Sequence, residues 1–180
     1  MTPASTPEPG PAATHVAGWD PIVRLTHWLT AGVVVLNWFR DSGDWWHRQA
    51  GYVAAGAVVV RLAWALCRSG IAGMPALKPS WSKTLTYLRQ GAARTHGHDP
   101  LAIWMIWWLW LLVLYLAVTG WMSRLDAFWG DETVQTLHSV GADLLFWSAV
   151  IHVAAVFVMG RRWRVNLVGA MVTGREPPRT

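Results

Sequence analysis

The chain is poor in cysteine and in charge. Cys67 is its only cysteine among 180 residues, which excludes an intrachain disulfide framework. Charged residues make up 14% and hydrophobic residues 53%, whereas soluble domains carry about 25% charged residues. The first 18 residues contain neither Lys nor Arg and have no apolar core, which excludes a signal peptide and predicts a disordered N-terminal tail over 1–18.

The chain contains long apolar segments. Four segments stand out at roughly 21–39, 46–67, 101–122 and 134–159, each near the ~20 residues that a spanning helix needs. Asp20-Pro21 and Asp99-Pro100 are typical helix starts, and Gly160 is interpreted as a stop. The sequence predicts an all-α integral membrane four-helix bundle forming one domain over 19–174, followed by a short C-terminal tail over 175–180.

Basic residues are distributed unequally between the two ends of these segments. Side A is defined as the side where the first segment begins, and side B as the opposite one. Side A carries eleven basic residues, and side B carries three beside five acidic ones. The positive-inside rule therefore predicts a cytoplasmic side A, both termini inside, and a multi-pass protein of the bacterial inner membrane. Because the cations flank apolar runs, the net charge of +5 does not indicate nucleic-acid binding.

The cytoplasmic loop over 68–100 contains a helical pattern of its own. Ser80 can cap a helix whose Trp81, Leu85 and Leu88 share one face before Gly91. This pattern predicts a short interfacial helix on the membrane surface. A solvated surface turn is the alternative.

Four of the seven histidines fall within the spanning segments, where ligating side chains are costly and usually functional. His27 is expected near side A and His47 near side B. His138 and His152 belong to the same helix, about 21 Å apart along its axis and within roughly 40° of one face. Two cross-bundle pairs are expected, His27 with His152 and His47 with His138.

Paired imidazoles from facing helices are what a six-coordinate haem iron needs, whereas zinc requires further protein ligands. No CxxCH motif is present for covalent haem attachment. Gly51 and Gly141 lie one turn from a histidine and could make room for a porphyrin, or could let helices pack closely. Arg24 and Arg61 could pair with haem propionates, or could extend to the headgroups. His98, beside the third segment, is a weaker competing ligand.

Several short motifs accompany these residues. They are Trp19-Asp20-Pro21 with Arg24 and His27-Trp28, His47 with Gly51-Tyr52, Arg61-Leu62 and Trp64, Gly97-His98-Asp99-Pro100-Leu101, Thr119-Gly120, His138, His152, Asn166-Leu167, Met171 and Thr173-Gly174. Together they cover nearly everything after the tail. On these motifs the chain resembles the bacterial cytochrome b561 family, especially the branch with the b-type cytochrome subunit of nickel-iron hydrogenases.

The resemblance implies a dihaem b cytochrome that relays electrons between quinone and a partner protein of the hydrogenase or cytochrome c type. His27 with His152 and His47 with His138 would hold the two haems. A different reading is a haem-bearing anchor subunit for a hydrogenase, dehydrogenase or cytochrome c, without quinone chemistry of its own. Across these two readings, the chain is expected to be an electron-transfer protein or a subunit of a quinone-linked oxidoreductase.

Overall fold

The computed structural model describes residues 19–40, 43–92 and 99–175, and over these ranges the regular structure is entirely helical. The helices are α1 (Pro21–Trp38), α2 (Trp45–Cys67), α3 (Trp81–Arg89), α4 (Pro100–Met122), α5 (Glu132–Arg162) and α6 (Leu167–Thr173). Single 3-10 turns lie at Gly70–Ala72, Met74–Leu77 and Asp126–Phe128. The expected tail over 1–18, His98, and most of the C-terminal tail lie outside the described residues.

The starts of α1 and α4 are set by side-chain caps followed by proline. An Asp20 carboxylate oxygen accepts from the Ile22 N–H at 2.8 Å, and Asp99 accepts from the Ala102 N–H at 2.8 Å. Pro21 and Pro100 occupy the next position, where a missing N–H costs nothing. The helix starts predicted at these two points are confirmed.

Three of the described helices are long and apolar enough to cross a membrane: α2, α4 and α5. They correspond to three of the four predicted segments. The first segment forms an 18-residue helix, α1, which is not among these three. Arg24, His27 and Asn37 lie within it and lower its mean hydropathy.

The long helices pack in a chain of neighbours. α1 lies along α2, α2 packs on α4, and α4 packs on α5. Their shared core consists of Val33, Ala54, Val58, Leu112, Val113 and Leu145. Among the described residues, the backbone of α5 does not pack along α1 or α2. The first helical hairpin and α5 therefore face each other across a cleft that is not closed by backbone packing.

The end of α5 differs from the prediction. The helix does not stop at Gly160 but continues to Arg162, and the chain then folds back so that the Val165 N–H donates to the Gly160 carbonyl at 2.9 Å. A Cβ at position 160 would lie 3.0 Å from the Val165 oxygen. Gly160 thus permits a close return of the chain. The return leads into α6, which the apolar pattern did not predict.

The helix predicted within the 68–100 loop is present as α3. Ser80 caps it by accepting from the Lys83 N–H at 3.4 Å. Thr84 and Tyr87 are buried against the rest of the protein, whereas Trp81, Leu85 and Leu88 are 75%, 50% and 51% exposed. The apolar face of α3 therefore points away from the protein.

Candidate cofactor sites

The first site lies at the side A end of the cleft. His27 of α1 and His152 of α5 face each other with ring centroids 6.3 Å apart and ring planes inclined at 58°. The edge of Trp28 lies against His27, with centroids 5.2 Å apart. The His27 Nδ1 atom is buried and has no hydrogen-bond partner. The structure thus brings together the pair that the sequence predicted at this level.

The second site lies at the side B end of the same cleft. His47 of α2 and His138 of α5 have ring centroids 6.2 Å apart and planes inclined at 60°. The backbone of His47 is fixed from both sides, because its N–H donates to the capping Asp44 carboxylate and its carbonyl accepts from Asn37 Nδ2 at 3.0 Å. His47 Nδ1 is buried without a partner. The second predicted pair is also brought together.

The spacing of each pair fits a metal ion between two imidazoles. A metal–imidazole nitrogen bond is roughly 2.0 Å long, so two rings on opposite sides of one metal have centroids about 6 Å apart. In the described ranges, no group of three or more His, Cys, Asp or Glu side chains could hold a metal on its own. Two-histidine sites of this kind suit a haem iron, whose other four ligands belong to the porphyrin.

His138 has a further contact that the histidine pattern did not predict. Its Nδ1 atom lies 2.9 Å from the Thr119 hydroxyl oxygen on α4. The neighbouring Gly120 lies against the same ring, since a Cβ there would be 3.2 Å from His138 Cε1. Thr119-Gly120 was recognised in the sequence only as part of a motif, because its contact with His138 depends on how α4 and α5 pack.

The two arginines both contact backbone carbonyls at side A. Arg61 is 4% exposed, donates from Nη1 to the Ala72 carbonyl at 3.1 Å, and lies 5.7 Å from the centre of the Trp110 ring. Arg24 donates to the carbonyls of Met171 and Val172 at the end of α6. Arg61 is thus buried within the protein and does not extend to the headgroups. Arg24 holds α6 against α1.

The two candidate glycines have different surroundings. The space beside Gly51 is open, because the nearest atom to a Cβ at this position would be Asn37 Nδ2 at 3.9 Å. Gly141 is buried, and a Cβ there would lie 2.5 Å from Tyr115 Cε1. In this structure the space beside Gly141 is filled by α4, which is the packing role that the sequence left open for it.

The tryptophans of α4 serve as anchors. The indole N–H of Trp107 donates to the Leu77 carbonyl at 2.7 Å, and that of Trp104 donates to the Thr84 hydroxyl at 3.2 Å. Both bonds attach the side A loop to α4. Trp108 donates to the Ser148 hydroxyl at 2.8 Å and links α4 to α5 close to His152.

A family model described as prokaryotic cytochrome b561 matches residues 18–174 of the chain. No curated protein and no solved structure matches it. The matched range contains all four histidines of the two sites.

Proposed function

Because the chain belongs to the prokaryotic cytochrome b561 family, it is a membrane b-type cytochrome of electron transfer, and we propose that it holds two haem b groups. In this proposal it carries electrons across the bilayer between the quinone pool and a redox partner protein. The observation that supports it is the presence of two histidine pairs, 6.3 Å and 6.2 Å between ring centroids, near opposite ends of α5.

Each residue of the sites has a defined task in this proposal. A bound haem b supplies a one-electron couple between ferric and ferrous iron. His27 with His152, and His47 with His138, provide neutral imidazoles as the two protein ligands at each level. Gly51 leaves space next to His47, whereas Gly141 lets α4 pack close to His138.

In this proposal, Arg24 and Arg61 neutralise the negative charge of the haem propionates at side A. Arginine has five N–H donors, and the Ala72 carbonyl occupies only one donor of Arg61. We assign the remaining donors of Arg61, and those that α6 leaves free on Arg24, to propionates of the side A haem. Charge-assisted bonds of this kind are among the stronger hydrogen bonds.

We further propose that α1 is the fourth spanning helix and that α1, α2, α4 and α5 form a four-helix bundle in the bacterial inner membrane. Histidine pairing supports this, since His27 and His47 must reach the two ends of the spanning helix α5. The excess of basic residues on side A supports a cytoplasmic location for both termini. α3, whose apolar face is exposed, then lies on the cytoplasmic membrane surface.

The electron partners are proposed from the family and from topology. Quinone is the membrane-soluble partner, and a periplasmic or membrane protein of the hydrogenase or cytochrome c type is the other. The second candidate function is a haem-bearing anchor for such a protein without quinone chemistry. Two sites at opposite depths favour transmembrane transfer, because an anchor needs no second site.

Haem content of histidine variants tests the ligand assignment. We expect His138→Ala and His152→Ala each to remove about one haem per chain from the purified full-length protein, measured as the pyridine haemochrome against protein mass. His98→Ala, which changes a histidine outside the two pairs, should retain both haems. Retention of both haems in correctly inserted His138→Ala and His152→Ala proteins would refute the assignment.

Quinol titration of the same preparations separates the two functions. A transmembrane cytochrome of this kind should be reduced by a ubiquinol or menaquinol analogue in detergent, and each histidine variant should lose part of that reduction. An anchor without quinone chemistry should be reduced by dithionite and stay oxidised with quinol.

A further inference from the structure

We propose that Thr119 and Gly120 of α4 act as positioning residues that fix the tautomer and the orientation of the His138 imidazole. In this arrangement Nδ1 carries the proton, and Nε2 is the atom presented to the metal. The inference rests on the proposed function, since it assumes that His138 is a haem ligand.

The hydroxyl proton of Thr119 is already engaged within α4. Thr119 Oγ1 lies 3.0 Å from the Tyr115 carbonyl and 3.3 Å from the Leu116 carbonyl, and a carbonyl can only accept. The hydroxyl therefore presents a lone pair to His138 Nδ1 at 2.9 Å. It follows that His138 Nδ1 is the donor in this bond.

A neutral imidazole has one N–H and one free lone pair. With the proton on Nδ1, the lone pair of His138 is on Nε2, the form in which a histidine can bind metal through that atom. The acceptor, Thr119, belongs to α4, so α4 contributes to the side B site without supplying a ligand.

Gly120 adds a steric constraint to this hydrogen bond. A Cβ at position 120 would lie 3.2 Å from His138 Cε1 and 3.6 Å from Nδ1. The first distance is tighter than ordinary packing, so any side chain here would tilt the ring. Thr119 is 5% exposed, which leaves little room for water to replace its hydroxyl.

Two of the other three rings have no such support in the described part of the chain. His27 Nδ1 and His47 Nδ1 are buried without a hydrogen-bond partner. A bond from the distal N–H to an acceptor raises the basicity of a metal-binding imidazole. A more basic ligand stabilises the ferric state, so the Thr119 bond lowers the reduction potential at side B.

The test is the Thr119→Val substitution in the purified full-length holoprotein. Valine keeps the shape and removes the acceptor. We expect two haems per chain, an upward shift of one of the two components in a redox titration, and a change in one low-spin ferric signal in the electron paramagnetic resonance spectrum. Thr119→Ser, which restores the hydroxyl, should return both readouts towards wild type.

Thr26 provides a matched control. Its hydroxyl donates to the Ile22 carbonyl at 2.7 Å in the same type of helix bond, and it is 7% exposed, but it has no hydrogen bond to a histidine ring. Thr26→Val should leave both redox components in place. An equal shift in Thr26→Val and Thr119→Val would overturn the proposal, because it would show a general loss of packing.

Gly120→Ala keeps the hydroxyl and crowds the ring, so it should alter the same paramagnetic signal as Thr119→Val. If Thr119→Val assembles with fewer than two haems, the paramagnetic signal of Gly120→Ala serves as the test of the positioning role. Unchanged spectra in these variants, with two haems bound, refute the positioning role alone. Retention of both haems by His138→Ala refutes the proposed ligand itself, which keeps the two failures distinguishable.

Discussion

At the residue scale, Gly141 shows how one missing methyl group sets the distance between two helices. Tyr115 is held over it by a bond from its hydroxyl to the Leu137 carbonyl at 3.0 Å. A Cβ at position 141 would lie 2.5 Å and 2.9 Å from two atoms of the Tyr115 ring. The Tyr115 ring cannot move away from such a Cβ without losing its bond to Leu137. A side chain at position 141 would therefore push α4 and α5 apart.

We therefore expect Gly141→Ala to destabilise the protein by about 1–3 kcal/mol through overpacking, seen as a lower midpoint of thermal denaturation in detergent. Gly56→Ala is the control, because nothing lies within 4 Å of a Cβ there and alanine is the better helix former. Equal midpoints for the two variants would show that α4 and α5 can separate at no cost.

The histidine pairs were predictable because depth and helical face can both be read from residue spacing. The contact of Thr119 with His138 was not, since two residues 19 apart meet only after α4 and α5 have packed. The role of Arg61 was left open between a propionate and the headgroups. Its backbone partner, Ala72, lies in a loop whose path no periodic pattern predicts.

At the element scale, helix starts could be predicted where a polar side chain caps the helix from the neighbouring position in the sequence. Asp20, Asp99 and Ser80 cap the helices as the sequence predicted. The prediction that α5 stops at Gly160 was wrong. The absence of a side chain at Gly160 instead allows the chain at Val165 to pack closely against α5. α6 was missed since seven residues are too few for a clear period, although Asn166 and Gly174, in the left-handed conformation at φ 77°, flank it.

The exposed face of α3 leads to a prediction about its surroundings. In a Cys67→Ser background, we expect a polarity-sensitive fluorophore on Leu85→Cys to report an apolar environment in vesicles with anionic lipid. The same label on Thr86→Cys should report an aqueous environment, because Thr86 is exposed and lies outside the apolar face of α3. Identical, water-like emission from both sites would place α3 in solvent, away from the membrane surface.

At the scale of the whole molecule, the cleft between α5 and the first hairpin is the feature that relates fold to function. Residue spacing predicted which helices carry the ligands. It could not predict the neighbour order α1, α2, α4, α5, because α4 carries no ligand and its position follows from packing. Across the cleft, the described contacts include the two histidine pairs and the stacked rings of Trp38 and Phe146, whose centroids are 3.8 Å apart.

A cleft that is not closed by backbone packing should depend on its cofactor. A ligand that binds only the native state stabilises it by mass action, and here that stabilisation acts between α5 and the first hairpin. We expect removal of haem to broaden the distance distribution between spin labels at Arg48→Cys in α2 and Ser139→Cys in α5, in the Cys67→Ser background. Labels at Ser123→Cys and Ser139→Cys should keep a narrow distribution, because α4 and α5 are packed directly on each other. Equal broadening of both pairs would mean that haem organises the entire protein, and no broadening in either would mean that the cleft is held without it.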